Sequence, residues 1–166
     1  MSRARVLGRP IHPMLIVFPR GLLGTAPVFD LLALVLAEGY WSDVALWMII
    51  AGVLSGLVAA PFGVMDWLAI PSGTRAQRLG LLHGIGNTVV LVVFAASAWL
   101  HWTIPRTLAT LGLLFFFSLV GLIVSLVPAW MGAELVGRLG VGVDQGAHVD
   151  APSSLPKLLK SRDDDD

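Results

Sequence analysis

The chain of 166 residues is 56% apolar and 13% charged, with a mean hydropathy of +0.82. Soluble domains average about 45–50% apolar and about 25% charged, so this composition excludes a water-soluble fold and an intrinsically disordered chain and is that of a membrane protein. Eleven basic and eleven acidic residues cancel, which leaves no global field for nucleic acid. The absence of cysteine excludes disulfide staples, thiolate zinc sites, iron–sulfur clusters and cysteine nucleophiles.

In chain order, residues 1–13 form an arginine-bearing N-terminal segment ending at His12-Pro13, where a proline suits the first turn of a helix. A bilayer core of about 30 Å takes about 20 mostly apolar residues per helix, and four stretches qualify. The first covers about residues 14–37, with Arg20 and Asp30 as its charges. It is too long for a signal peptide and lacks a suitable cleavage site, so it is expected to be kept as a helix. After the polar turn Glu38 to Asp43, the second covers about 45–70, with Asp66 near its end. Pro71-Ser72-Gly73-Thr74 separates it from the third, about 79–102, which holds His83 and Asn87. Ile104-Pro105 precedes the fourth, about 107–131, which has no charge. Continuous apolar runs of this length predict helices, since a barrel strand alternates over about 10 residues. Residues 133–166 read as a Gly-rich, weakly structured tail closing on Asp163 to Asp166, a solvated run or an added remnant.

Four spans bring both termini to one side. That side carries Arg3, Arg5, Arg9, Arg20, Arg75, Arg78, Arg138, Lys157, Lys160 and Arg162, against Arg106 alone on the other. This bias predicts cytoplasmic termini in an inner (cytoplasmic) membrane. Trp41, Trp47, Trp99 and Trp102 fall at one end and Trp67 and Trp130 at the other, as in an interfacial aromatic belt. Gly52, Gly56 and Ala60, and Gly80 and Gly84, recur every four positions and are expected at helix contacts, within one chain or in a homo-oligomer. Pro19, Pro27 and Pro61 are expected to kink their helices.

Ionisable groups inside a membrane each need a reason. With this topology His12, Asp66, His83, Asn87, Trp130 and Glu134 all come to the terminus-bearing end, and His83 and Asn87, four apart, share a helix face. Three readings compete. The cluster is a hydrogen-bond network in which Asp66 accepts from His83 and Asn87 and Trp130 complete it, fixing helix register. Alternatively His12 and His83 ligate a haem iron, as paired histidines on facing helices do. A third reading is a divalent-metal or proton site from His12, Asp66, His83 and Glu134. Against haem, His12 lies at the interface while His83 is about a turn deeper. Asp30 is expected to bond locally or snorkel, and Arg20 to snorkel or pair with Asp66. His101 and His148 are expected to be an interfacial and a tail histidine without partners. No nucleophile elbow, P-loop or dinucleotide fingerprint is present, and the ionisable groups sit at the ends rather than at a midplane transport site.

Residues Gly8 to Pro19 (GRPIHPMLIVFP), the Asp30 region, Ala51-Gly52, Pro61 to Trp67 (PFGVMDW), Leu82-His83 with Asn87, and Trp130 to Val136 followed by Gly140-Val141-Gly142-Val143 resemble the bacterial DUF2231 membrane proteins. The similarity spans about residues 8–144. It implies a four-helix integral membrane domain, with His12, Asp66, Trp67, His83, Trp130, Gly132 and Glu134 among the shared positions. Fusions of such domains to Rieske or cytochrome-like modules imply proximity to electron transfer, by association. Many members have a second His where Val17 stands here and a small apolar residue where Arg20 stands, which weakens a metal or bis-His reading for this chain.

The expected fold is therefore an all-α, four-helix integral membrane bundle. The expected function is a non-enzymatic subunit or anchor of a redox or respiratory-type assembly, with haem b as its candidate cofactor and redox subunits as candidate partners. The alternatives are a cofactor-free membrane scaffold and a metal- or proton-handling membrane protein.

Overall fold

The computed structural model describes residues 5–7, 9–144, 146–151 and 153. Of the charges used for orientation, Arg3, Lys157, Lys160 and Arg162 lie outside the described residues, as do Asp163 to Asp166 and the side chains of Arg5 and Arg9.

Two two-residue strands, β1 (Arg5–Val6) and β2 (Arg9–Pro10), pair antiparallel ahead of the helices. The rest of the fold is α1 (Ile11–Leu15), α2 (Val17–Leu36), α3 (Gly39–Leu68), α4 (Arg75–Thr103) and α5 (Leu108–Gly137). α1 and α2 together make the first span, Ile11–Leu36, and α3, α4 and α5 are the other three helices long and apolar enough to cross a membrane. In ring order α2 packs beside α3, α3 beside α4, α4 beside α5, and α5 returns to α2; α1 lies against α3. The fold is an all-α four-helix membrane bundle. Helices α3, α4 and α5 have 30, 29 and 30 residues, about 45 Å each at 1.5 Å per residue. They exceed a hydrocarbon core of about 30 Å, so polar end turns can reach the headgroups.

The helices are longer than the apolar stretches suggest, for local reasons. Ala37 takes a left-handed backbone (φ 55°) and only Ala37 and Glu38 separate α2 from α3. Tyr40 to Asp43, expected in a turn, form the start of α3, and Ser42 is buried there. Gly39 admits this tight corner because a Cβ at that position would stand 2.8 Å from Arg106 Cβ. Thr74 opens α4 by accepting from the Gln77 amide at 3.1 Å. Thr107 and Thr110 form a reciprocal capping box at the start of α5. α5 continues past Gly132 to Gly137, where Glu134 is held by Arg75 at 2.8 Å.

The core is thin. Leu23, Ala26, Ile49, Val90 and Phe94 form its centre, and three glycines receive the larger side chains. A Cβ on Gly52 would lie 2.6 Å from Leu23, on Gly56 2.7 Å from Leu91, and on Gly121 2.9 Å from Phe94. Gly80 serves the same purpose for Trp67, at 2.9 Å. Two expected contacts are displaced. Ala60 is exposed and Ala59 is buried in its place, because each four-residue step turns about 40° beyond a full circle and the stripe drifts off the contact face. Gly84 meets nothing within 4 Å, whereas Gly86 faces Pro128 at 3.1 Å. The outward surface is apolar along the helices, with Trp47, Leu54, Val58, Val92, Trp99, Phe116 and Leu126 all exposed, as lipid contact requires.

Candidate functional site

The two ends of the bundle each gather polar groups. At the terminus-bearing end the two histidines occupy matching environments. His12 Nδ1 lies 3.2 Å from the Ala59 carbonyl on α3, and its ring rests on Gly63, four residues later, where a Cβ would stand 3.0 Å from Cε1. His83 Nδ1 lies 2.8 Å from the Pro128 carbonyl on α5, and its ring rests on Gly132, again four residues later, with 2.9 Å to Cε1. In each case a glycine makes room for the imidazole, and a helix carbonyl one turn earlier fixes it. A carbonyl only accepts, so Nδ1 is the protonated nitrogen of both rings and Nε2 keeps the lone pair.

At His83 that lone pair is engaged, because Asn87 Nδ2 donates to Nε2 at 3.0 Å and to the His83 carbonyl at 2.9 Å. His83, Asn87 and Pro128 thus form a closed set joining α4 to α5. Trp67 ties the end of α3 to the start of α4, donating from Nε1 to the Gln77 carbonyl at 3.0 Å. Glu134 is ion-paired with Arg75 across α5 and α4. Asp66 sits in the last turn of α3 and has a partner of its own. Trp130 does not join the network; it is exposed on the outer face of α5. Arg20 is exposed and makes no side-chain hydrogen bond or ion pair to another described residue, so the expected pairing with Asp66 does not form.

Among the described residues no group of three or more His, Asp or Glu side chains could hold a metal ion. Haem ligation needs a free lone pair on each imidazole. His12 Nε2 makes no hydrogen bond to a described residue, but His83 Nε2 is occupied by Asn87. The pair as arranged does not fit a bis-histidine haem.

The opposite end holds a cluster that sequence reasoning missed. Asp30 on α2, Ser42 on α3, and Ser97 and His101 on α4 are all fully buried. His101 Nε2 lies 2.9 Å from Asp30 Oδ1, and Ser42 Oγ donates to the same oxygen at 3.2 Å. His101 Nδ1 donates to the Ser97 carbonyl at 2.7 Å. Asp30 therefore neither bonds locally nor snorkels, and His101 is not an interfacial histidine without a partner. The Ser97, His101, Asp30 series has the composition of a hydrolytic triad but not its function. Nδ1, 3.5 Å from Ser97 Oγ, is already a donor to a carbonyl and has no lone pair to take the hydroxyl proton. Asp30 Oδ2 and Trp41 Nε1 are buried without a hydrogen-bond partner among the described residues. Above the cluster, Arg106 donates from Nε and from Nη2 to Asp43 Oδ1 at 3.1 and 2.8 Å, closing the loop corner.

A family model described as "Predicted membrane protein (DUF2231)" matches residues 8–145. No curated protein and no solved structure matches the chain.

Proposed function

The chain belongs to the DUF2231 family of predicted membrane proteins, and from that premise we propose that it is an integral membrane subunit or anchor of a redox or respiratory-type assembly, working through its terminus-bearing end. One observation carries the reading. The polar groups inside the bundle are largely consumed by one another, in the sets His83–Asn87–Pro128 and Asp30–His101–Ser42–Ser97. What remains outward is an apolar lateral surface and a basic end bearing Arg20, Arg78 and Arg138, all exposed. A closed interior with a charged end suits holding and docking better than substrate turnover. The redox assignment rests on the fusion habits implied by the family resemblance. The same charge distribution supports cytoplasmic termini in the inner membrane, since Arg106 stands at the other end against Arg20, Arg75, Arg78 and Arg138 at this one.

The test is chemical cross-linking in native membranes, followed by purification of the full chain in mild detergent and optical redox spectroscopy of what co-purifies. Recovery of a stoichiometric haem- or iron–sulfur-bearing subunit, reduced by Arg78→Glu with Arg138→Glu, supports the reading. Recovery of the chain alone in fully cross-linked samples contradicts it.

A second reading, proton handling, is favoured by the Asp30–His101 pair. With Nδ1 protonated, the contact between Nε2 and Oδ1 needs one further proton, shared by a carboxylate and an imidazole inside the membrane. Proteoliposomes with an internal pH dye test it: proton flux abolished by Asp30→Asn supports this reading, and flux no greater than in empty vesicles removes it.

A further inference from the structure

The likeness of the two histidine pockets extends along the whole bundle. A shift of 71 residues carries His12 onto His83, and one of 69 carries the Ala59 carbonyl and Gly63 that hold it onto the Pro128 carbonyl and Gly132. The same two shifts carry the seat of Leu23 on Gly52 onto that of Phe94 on Gly121. On α3, five of the six buried residues (Ser42, Ala45, Ile49, Gly52 and Ala59) fall on buried residues of α5 (Leu111, Leu114, Ser118, Gly121 and Pro128). On α4, three of the four buried residues (Phe94, Ser97 and His101) fall on buried residues of α2 (Leu23, Ala26 and Asp30). Of these pairs only His12/His83, Gly52/Gly121 and Gly63/Gly132 keep the amino acid. The repeat lies in which positions face inward, and so it is hidden from a reading by identity.

The packing follows the same rule. α2 with α3 and α4 with α5 are hairpins, and the ring closes through α3 on α4 and α5 on α2. The first and third spans run parallel, so the operation relating the hairpins is a two-fold rotation about an axis along the membrane normal. At such an axis a residue meets its own equivalent. Asp30 and His101 are equivalents, and they meet at 2.9 Å. At that position the halves must differ. Two aspartates would set one carboxylate against another. Two histidines, each with Nδ1 given to the carbonyl four residues back as in His101, would bring two lone pairs together. One acid and one imidazole close the contact.

We propose that the bundle is two copies of one helical-hairpin module joined about this axis, and that Asp30 and His101 are the residues by which the first hairpin selects the second over its own like. The inward face of each hairpin is thus a surface fitted to another hairpin of the same module, with the opposite group at the axis position. This relationship holds whatever the bundle anchors.

The experiment exchanges the axis residues in the full chain. Asp30→His with His101→Asp transposes the pair, and Ser42→Leu with Leu111→Ser moves the donating hydroxyl along with the carboxylate. Thermal unfolding in one detergent compares this four-residue exchange with Asp30→His and His101→Asp alone. Each single variant is expected to lower the midpoint by about 10 °C, and the exchange to recover most of that loss. An exchange no more stable than the single variants overturns the proposal. A second measurement leaves the axis untouched. The chain has no cysteine, so spin labels can be placed on Val17→Cys with Leu126→Cys, and on Thr88→Cys with Leu57→Cys, all at exposed positions. The two shifts make these the same pair seen from the two halves, and their distances should coincide. Clearly different distances overturn the two-fold relation, and they decide the matter if neither the exchange nor the single variants fold.

Discussion

His101 on α4 and Asp30 on α2 meet across the diagonal of the ring, Nε2 to Oδ1 at 2.9 Å, with both side chains wholly out of solvent. Neighbouring helices in this bundle touch along their length, but this contact joins two that are not neighbours. It therefore fixes how far the two helical hairpins can slide or turn against each other. The carboxylate depends on few donors, since among the described residues Oδ2 has none and Oδ1 has only His101 and Ser42.

Removing one member should thus be far worse than removing both. Asp30→Leu or His101→Leu leaves a buried polar group stranded and should destabilise the bundle by about 3–5 kcal/mol. The double variant should recover a large part of that loss. Chemical unfolding in detergent micelles, run as a double-mutant cycle, measures the coupling. Additive losses in the double variant would mean that the pair does not act as a unit.

The exposed ion pair at the other end should behave differently. Arg75 is 59% exposed and Glu134 16%, so Glu134→Gln should cost about 1 kcal/mol or less, diminishing further in high salt. The same unfolding assay at two salt concentrations reads both effects.

The glycines offer a sharper contrast on a single scaffold. Gly132→Ala drives a methyl group to 2.9 Å from the His83 ring, and Gly63→Ala to 3.0 Å from the His12 ring. Each should destabilise by about 1–3 kcal/mol. Gly84→Ala meets nothing within 4 Å and should be neutral or stabilise by up to about 1 kcal/mol through helix propensity. Thermal midpoints of the three variants in one detergent decide it.

The fold is legible in the sequence because membrane spanning is written in continuous runs, which need no knowledge of partners. Helix ends are less legible. Tyr40 to Asp43 read as a polar turn, yet Ser42 is buried under Asp30 and Asp43 is held by Arg106, contacts that no local pattern reveals. His12 and His83 stood out because ionisable groups in a membrane need a reason and the topology brings both to the terminus-bearing end, and the expectation that His83 and Asn87 share a face holds as a 3.0 Å hydrogen bond. Their carbonyl and glycine partners lie on other helices and could not be read. His101, between Trp99 and Trp102, looks interfacial, but in a helix those two indoles point outward while His101 faces in. The clue was depth: Asp30 and His101 both sit near the C-terminal ends of α2 and α4, the first and third spans, which run parallel and so bring two ionisable groups to the same end with reason to pair.

The central claim is that the interior polar groups, His83 among them, are largely occupied by one another, which supports the proposed role as an anchor without a haem of its own. The absorption spectrum of the purified chain before and after dithionite tests this most directly, with partners removed and haem supplied during expression. The account predicts no Soret band in either state. A Soret band that sharpens on reduction, with split visible bands and lost in His83→Ala, would contradict it and make His12 and His83 axial ligands.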